Sequence, residues 1–284
     1  MKYTLFVGRW QPFHSGHKYI IDSFVNNGKP VCIAIRDTER TIDNPFSPAL
    51  RKKLIKQVYK DNPLVKVITI PDIDTVVVGR GVGYAIMEAP EDIQRISGTK
   101  VRENKEIKFN EGKGLCVLFT GLPSSGKTTT ARNVAKKLYH VTELLDGDEF
   151  RKTYTPELGY TKENREKNIR ALMKVARNLT EYGLVVLCSF IAPYESVRRE
   201  FRETIGENFL EVYIKAYKKD CRMRDPKDLW READKGLIKN FTGVSAPYEE
   251  PENPDLIVDT SSNPKGECAR MVIELINNKL GEER

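Results

Sequence analysis

The sequence has no run of apolar residues near the ~20 that span a bilayer. Its start passes directly into the strand-like KYTLFVG, without the basic and then long apolar organisation of a secretory leader. Membrane anchorage and export are therefore set aside, and the expected location is cytoplasmic. Cysteine is sparse. The five residues, Cys32, Cys116, Cys188, Cys221 and Cys268, lie far apart with no C-x-x-C pair. That argues against a disulfide framework or a cysteine-based zinc site and for reduced, mostly buried thiols. Only three histidines are present. Internal repeats and low-complexity segments are absent, and 39% hydrophobic with 31% charged residues is an ordinary globular composition.

Blocks of like charge are missing as well. The formal net charge is +7, and the excess falls almost wholly in the first 110 residues. The basic residues there are scattered and not interleaved with aromatics. This pattern favours a small anionic substrate over nucleic acid. No nucleic-acid or membrane partner is expected, and a homo-oligomer is compatible with the composition.

What the 284 residues do contain is strand–helix alternation, twice over. The first stretch reads YTLFVG, HKYIIDSFVNNG, VCIAI, SPALRKKLIKQVY, VKVITI and TVVVG. Ile20, Ile21, Phe24 and Val25 share one helical face. Ser47 and Pro48 open a second helix, in which Leu50, Leu54, Ile55 and Val58 recur at helical spacing. The polar ENKEIKFNEGKG follows as a linker. Alternation then restarts with LCVLFTG, KTTTARNVAKKLYH, VTELLDGD, a long helix ending at Gly183, and the strands LVVLCSF, FLEVYIKA and DLIVDT. The expected fold class is α/β with parallel sheets in two domains, 1–105 and 115–284, joined by a linker over 106–114.

The second domain opens on Gly121-Leu122-Pro123-Ser124-Ser125-Gly126-Lys127-Thr128, a full G-x-x-x-x-G-K-[ST] between a strand and a helix. Glycines let backbone N–H groups converge on phosphate oxygens at the positive end of a helix. Lys127 is placed to reach the β- and γ-phosphates of ATP, and Thr128, followed by Thr129, to help ligate Mg²⁺. Asp146 and Asp148 end the next strand, where carboxylates of parallel sheets face the ligand crevice. One of them can orient Mg²⁺ or accept a proton, although an aspartate there is also a common helix cap.

The segments LLDGDEFR, GYTKENREKNIR, SFIAPYE, RDPKDLW and FTGVSAPYEEPENPDLIVDT, in this order and spacing, resemble the adenylyl-sulfate kinase family over about residues 113–265. The resemblance implies a P-loop kinase that moves the γ-phosphate of ATP to the 3′-hydroxyl of adenylyl sulfate, with Mg²⁺. It implies Asp148 as base or metal-side carboxylate. Arg151, Arg165 and Asn168 would hold the anionic acceptor, with Asp146 and Ile191 beside it. Tyr160 and Phe241 would sandwich its adenine, and Lys227 would lie on the closing segment. Arg165 and Asn168 share a helix face by spacing alone, and a guanidinium suits phosphate or sulfate oxygens. The chain departs from the family pattern at Ala192, where a serine is usual, at Tyr160, and at Asp228 and Trp230. Ala192 cannot carry a phosphate, so transfer is expected to be direct. A related nucleotide anhydride stays open as the acceptor.

The first domain carries GRWQPFHSGH, which resembles the H-x-G-H signature of the nucleotidyltransferase superfamily, together with ISGTKVR, which resembles I-S-x-T-x-x-R. The resemblance implies a Rossmann-like domain in which Gly8, His14, His17 and Lys18 meet nucleotide phosphates. Ser97, Thr99 and Arg102 would bind the nucleotide and the leaving pyrophosphate. His17 is expected to begin the helix. Two imidazoles there can stabilise charge developing on phosphate oxygens without a covalent intermediate. GRGVGY, at 79–84, is a weaker nucleotide-turn signal. The economical combination is consecutive chemistry on sulfate-like anions: nucleotide activation, with sulfate adenylyl transfer as the leading form, and then ribose phosphorylation. A CDP- or ADP-linked product, or nicotinamide mononucleotide as acceptor, is the alternative within enzymes. A nucleotide-sensing binding module is the alternative of another class. The joint presence of Lys127, Asp148, His14 and His17 speaks for catalysis over that module.

Overall fold

A computed structural model describes residues 2–76 and 113–281. The chain divides into two compact units, Met1–Glu111 and Gly112–Arg284. Ser97, Thr99, Arg102, the GRGVGY turn, most of the TVVVG segment and the linker up to residue 112 lie outside the described residues.

In the first unit, β1 (Thr4–Gly8), α1 (Ser15–Val25), β2 (Val31–Asp37), α2 (Pro48–Val58) and β3 (Val65–Pro71) follow one another. The strands are parallel, in the order β1-β2-β3. Val31 to Ile35 of the central β2 are all buried, hence its unbroken apolar run. Ser47 caps α2 by accepting from the Leu50 amide at 3.2 Å, with Pro48 in the first turn. Ile21, Ile33, Ile35, Ile55 and Val67 form the core, and Trp10 and Phe13 of the GRWQPFHSGH loop join them. Gln11-Pro12 in this loop is a cis peptide bond. The helix starts two residues earlier than the sequence suggested. The extended backbone of His14 makes it the N-cap, so His17 occupies the third helical position.

The second unit runs β4 (Leu115–Thr120), α3 (Lys127–Lys137), β5 (Thr142–Asp146), α4 (Gly147–Tyr154), α5 (Lys162–Glu181), β6 (Val185–Ser189), α6 (Glu195–Ile205), β7 (Phe209–Lys215), α7 (Lys218–Arg224), α8 (Leu229–Asp234), β8 (Leu256–Asp259) and α9 (Lys265–Leu280). Its five strands are parallel in the order β5-β6-β4-β7-β8. Leu115, Val117 and Phe119 of β4 pack on Ala131 and Val134 of α3 and on Ala269, Val272 and Ile276 of α9. Helices α5 and α6 pack against each other, and α5 also packs on β4 and β6. With every residue of β4 and β6 buried, these strands read as continuous apolar runs. From β4 the chain first goes out to the edge strand β5 and returns through β6, then crosses β4 to β7 and β8. The carboxyl end of β4 is therefore the topological switch point, where ligands of open α/β sheets bind. All five cysteines are buried and unpaired by disulfides.

Candidate active site

At that switch point the loop 121–126 leaves β4 and enters α3. Gly121 and Gly126 have positive φ values of 152° and 101°. A Cβ at Gly121 would run into the carbonyl oxygen of Ile214, so the tight turn requires glycine there. Side-chain donors from several elements hold the loop's carbonyls. Trp230 Nε1 donates to Pro123 O at 3.2 Å, and Thr260 Oγ1 to Ser125 O at 2.7 Å. Lys127 Nζ donates to Gly121 O at 3.0 Å and Leu122 O at 2.7 Å. Burial pulls the Lys127 ammonium down to about 8, partly offset by the charges of Cys221, Asp146 and Asp148. This lysine is thus held inward by its own loop. A triphosphate would offer it better acceptors and restore its full charge.

A cavity of about 940 Å³ opens over the loop. Pro123, Ser124, Gly126, Lys127, Thr128, Thr129, Asp146, Asp148, Arg151, Tyr160, Arg165, Asn168, Ile191, Lys227 and Phe241 all line it. Gly121, Leu122 and Ser125 do not. Leu122 turns into a small core with Cys221, Trp230, Ala233 and Phe241, and the Ser125 hydroxyl is buried. The side chains of Leu122 and Ser125 therefore support the loop from behind, and what Gly121, Leu122 and Ser125 can offer a phosphate is their backbone N–H groups.

Thr128 Oγ1 lies 2.7 Å from Asp146 Oδ2 and 3.0 Å from Ser189 Oγ. Two hydroxyls and a carboxylate make an oxygen donor set suited to Mg²⁺, which takes one or two carboxylates plus water and phosphate. Of the two carboxylates that the sequence offered, it is Asp146 whose oxygen lies beside the Thr128 hydroxyl. Asp146 also accepts from the Asp148 amide at 3.2 Å as the cap of α4. Asp148 sits in the first turn of that helix and forms an ion pair with Lys227, whose ammonium is pushed up chiefly by this contact.

The two arginines do more than face the cavity. Arg151 Nη1 donates to Leu158 O and Gly159 O at 3.0 and 3.1 Å. Arg165 donates from Nε to Tyr160 O at 3.0 Å and from Nη2 to Asn240 O at 2.6 Å. Both guanidinium groups also lie over the Tyr160 ring, at 4.7 and 5.5 Å from its centroid. Part of each is therefore spent on shaping the segment that carries Tyr160, and burial lowers the pKa of both. Asn168 is buried and accepts from Thr155 Oγ1 at 2.7 Å through Oδ1, so its amide NH₂ is the group left to donate. Tyr160 is 57% exposed and Phe241 is buried.

Ser189 and Arg224 also line the cavity and were not singled out from sequence. Arg224 donates to Thr260 Oγ1 and O at 2.9 and 2.7 Å. Ser189 stands at the carboxyl end of β6 and Arg224 opens RDPKDLW, which are the signals that could have marked them. Ala192 carries φ 43°. Its carbonyl is gripped at 2.8 Å by Arg198, a fully buried guanidinium that pairs with Glu211.

In the first unit His14 is buried, and its backbone N–H donates to His17 Nδ1 at 3.3 Å. The two rings stack with centroids 3.5 Å apart. Trp10 meets His17 edge-on at 4.7 Å and ties itself to Ala34 O through Nε1 at 2.9 Å. Burial lowers His14 to about 4. Burial and the neighbouring His14 lower His17 to about 3. Both rings are neutral at pH 7, and with Nδ1 accepting, His17 carries its proton on Nε2. The Gly8 backbone is packed under the Trp10 ring. Lys18 does not stand free beside His17 but pairs with Asp22, one turn on, whose carboxylate also accepts from Tyr59.

Arg51 was missed. It is buried, donates through Nη1 to Arg9 O and to Arg36 O, and among the described residues its Nε and Nη2 have no hydrogen-bond partner. Burial draws it down to about 10. It lies on the same stripe as Leu50 and Leu54, where the hydrophobic pattern expects no cation.

The chain matches the adenylylsulphate kinase family over residues 113–259. It is 48% identical over 171 residues to the adenylyl-sulfate kinase of Halothermothrix orenii, covering 59% of this chain and 91% of that protein. A 165-residue stretch is 42% identical to part of the bifunctional enzyme NodQ of Azospirillum brasilense, of whose length it covers 27%. Among solved structures, the Mycobacterium tuberculosis APS kinase CysC in complex with AMPPNP and APS superposes with a TM-score of 0.56 at 36% identity, over 58% of this chain and 99% of that one. The family match spans more than half of the chain, which shows the family: the chain belongs to the adenylylsulphate kinase family.

Proposed function

We propose that the second unit transfers the γ-phosphoryl group of ATP to the 3′-hydroxyl of adenylyl sulfate, giving 3′-phosphoadenylyl sulfate. The observation that carries this reading is the single cavity in which Lys127, Thr128 and the loop amides meet Asp148, Arg151, Arg165, Asn168, Tyr160 and Phe241. Lys127 leaves its loop carbonyls for the β- and γ-phosphate oxygens. Asp146, Thr128 and Ser189 would hold Mg²⁺, which when bound neutralises charge on the transferring phosphoryl group. Asp148 accepts the proton of the attacking hydroxyl once Lys227 releases its carboxylate. Asn168 and the free edges of the two arginines orient the acceptor's anionic end, and Phe241 and Tyr160 line its base. Ala192 offers no hydroxyl, so the phosphoryl group passes directly to the acceptor. Radiolabelled ATP should leave no label on the denatured protein.

The test is a product assay on the full chain with Mg-ATP and adenylyl sulfate, nucleotides being separated by chromatography. New 3′-phosphoadenylyl sulfate supports the reading. An untouched acceptor with ATP still bound overturns it, and a related nucleotide anhydride then becomes the acceptor to test.

For the first unit the reading is nucleotidyl transfer to a small anion, with sulfate and ATP as the leading pair and a CDP- or ADP-linked product as the alternative. It rests on two stacked, neutral imidazoles at the N-terminus of α1, where donors suit developing phosphate charge. Pyrophosphate release by the full chain across a panel of nucleotides and acceptors tests it. No release with any pair would leave the unit without this activity.

A further inference from the structure

Trp230 lies in the RDPKDLW segment beside the nucleotide loop, and the chemistry above does not use it. Its side chain is 1% exposed. One edge holds the nucleotide loop, because Nε1 donates to Pro123 O at 3.2 Å and the ring packs in one cluster with Leu122. Phe241, on the acceptor side of the cavity, meets the ring edge-to-face with centroids 5.2 Å apart. Behind it, a Cβ on Gly243 (φ 97°) would come within 2.8 Å of the indole. On another side the Arg222 guanidinium lies 4.8 Å from the ring centroid, and it is itself fixed by two hydrogen bonds to Asp234 at 2.8 and 2.9 Å. The backbone is fixed as well. The Asp225 carboxylate accepts from the amides of Leu229, Trp230 and Arg231 at 3.0, 2.8 and 3.3 Å. The indole therefore has no slack. A shift of the Leu122–Pro123 backbone must move it, and its movement must move Phe241.

We propose that Trp230 is a positioning residue that couples occupancy of the nucleotide loop to the acceptor wall at Phe241, so that each substrate changes the affinity for the other. The inference rests on reading this cavity as the site of both substrates. Coupling of this kind is reciprocal. A phosphate that reorders loop residues 121–126 resets Phe241, and an adenine against Phe241 resets the loop.

The test measures AMPPNP affinity of the full chain with and without saturating adenylyl sulfate. Wild type is expected to show a change of about 5-fold or more, the lower end of ordinary coupling. Trp230→Phe keeps an aromatic ring but loses the N–H to Pro123. Its affinity for AMPPNP alone serves as the variant's own reference, and against it the coupling factor should fall towards one. Tryptophan emission gives a second reading, since the chain has only Trp10 and Trp230. AMPPNP alone should change the emission of wild type, and Trp230→Phe should lose that change. If Trp230→Phe does not fold, Trp230→Tyr takes its place, because it also removes the indole N–H. The proposal is overturned by a coupling factor unchanged in the variant, by no coupling in wild type, or by wild-type emission indifferent to AMPPNP. Turnover of adenylyl sulfate by wild type reads the kinase assignment separately. The emission change needs no acceptor, so failure of one is distinguishable from failure of the other.

Discussion

Both units place a glycine-bearing loop between the first strand of a parallel sheet and the helix that follows, but the two loops present their polar groups in different ways. Residues 121–126 form a shell of backbone. Glycines at positive φ turn the chain, and the one cation, Lys127, is folded back on the loop's own carbonyls. Residues 8–17 are held by side chains. Trp10 and Phe13 belong to the unit's core, and the polar groups are two imidazoles that burial keeps uncharged. A charge-bearing backbone cradle suits a polyanion that stays bound through the reaction. A dry pair of neutral imidazoles suits hydrogen bonding to charge that develops during it.

The sharpest way to break this comparison is to disable one loop and measure the other. Lys127→Ala is expected to lower phosphoryl transfer by on the order of 10²–10³-fold and to leave pyrophosphate release unchanged. His17→Ala should do the reverse. Loss of both activities from either substitution, with folding intact by circular dichroism, would end the two-site reading.

A smaller effect separates the loops by acid. His14 and His17 have folded pKa values of about 4 and 3, below the ordinary 6.5. Between these values the unfolded chain binds more protons than the folded one. The stability that the neutral pair provides is thus complete above about pH 6.5 and is lost as pH falls towards 4. Hydrogen exchange of peptides from residues 2–76 should show a progressive loss of protection over that range, with no matching step from the P-loop. Replacing both histidines by glutamine should flatten it.

The smallest effect belongs to Lys127. Its folded pKa of about 8 lies below the ordinary lysine value because of burial, and bound phosphates would raise it again. Nucleotide binding at pH 8 should therefore take up about half a proton, and affinity should fall as pH rises through 8. Calorimetry in two buffers of different ionisation enthalpy measures this. A Lys127→Ala variant should show no uptake from that group.

Much of the architecture was legible because its signals are local. Ser47 with Pro48 gave the start of α2, and Gly183 the end of α5. The unbroken apolar runs of β4 and β6 announced a sheet covered on both faces. Gly121 to Thr128 named the nucleotide loop, since the geometry it requires restricts residue types at fixed spacing. The boundary of α1 was misplaced because His14 caps it from an extended backbone, a role usually taken by serine, threonine, aspartate or asparagine.

What the sequence by itself determined is the periodicity, the caps and the glycine turns, all set by residues within a few positions of one another. Only the tertiary structure decided partners brought from afar. It chose Asp146 over Asp148 beside Thr128, and gave Asp148 to Lys227, 79 positions away. It buried Arg51 under two backbone carbonyls and wedged Trp230 between the nucleotide loop and Phe241. The physical reason is that hydrogen bonding and burial act between groups adjacent in space. Adjacency across a parallel sheet is set by strand order, which no local pattern encodes.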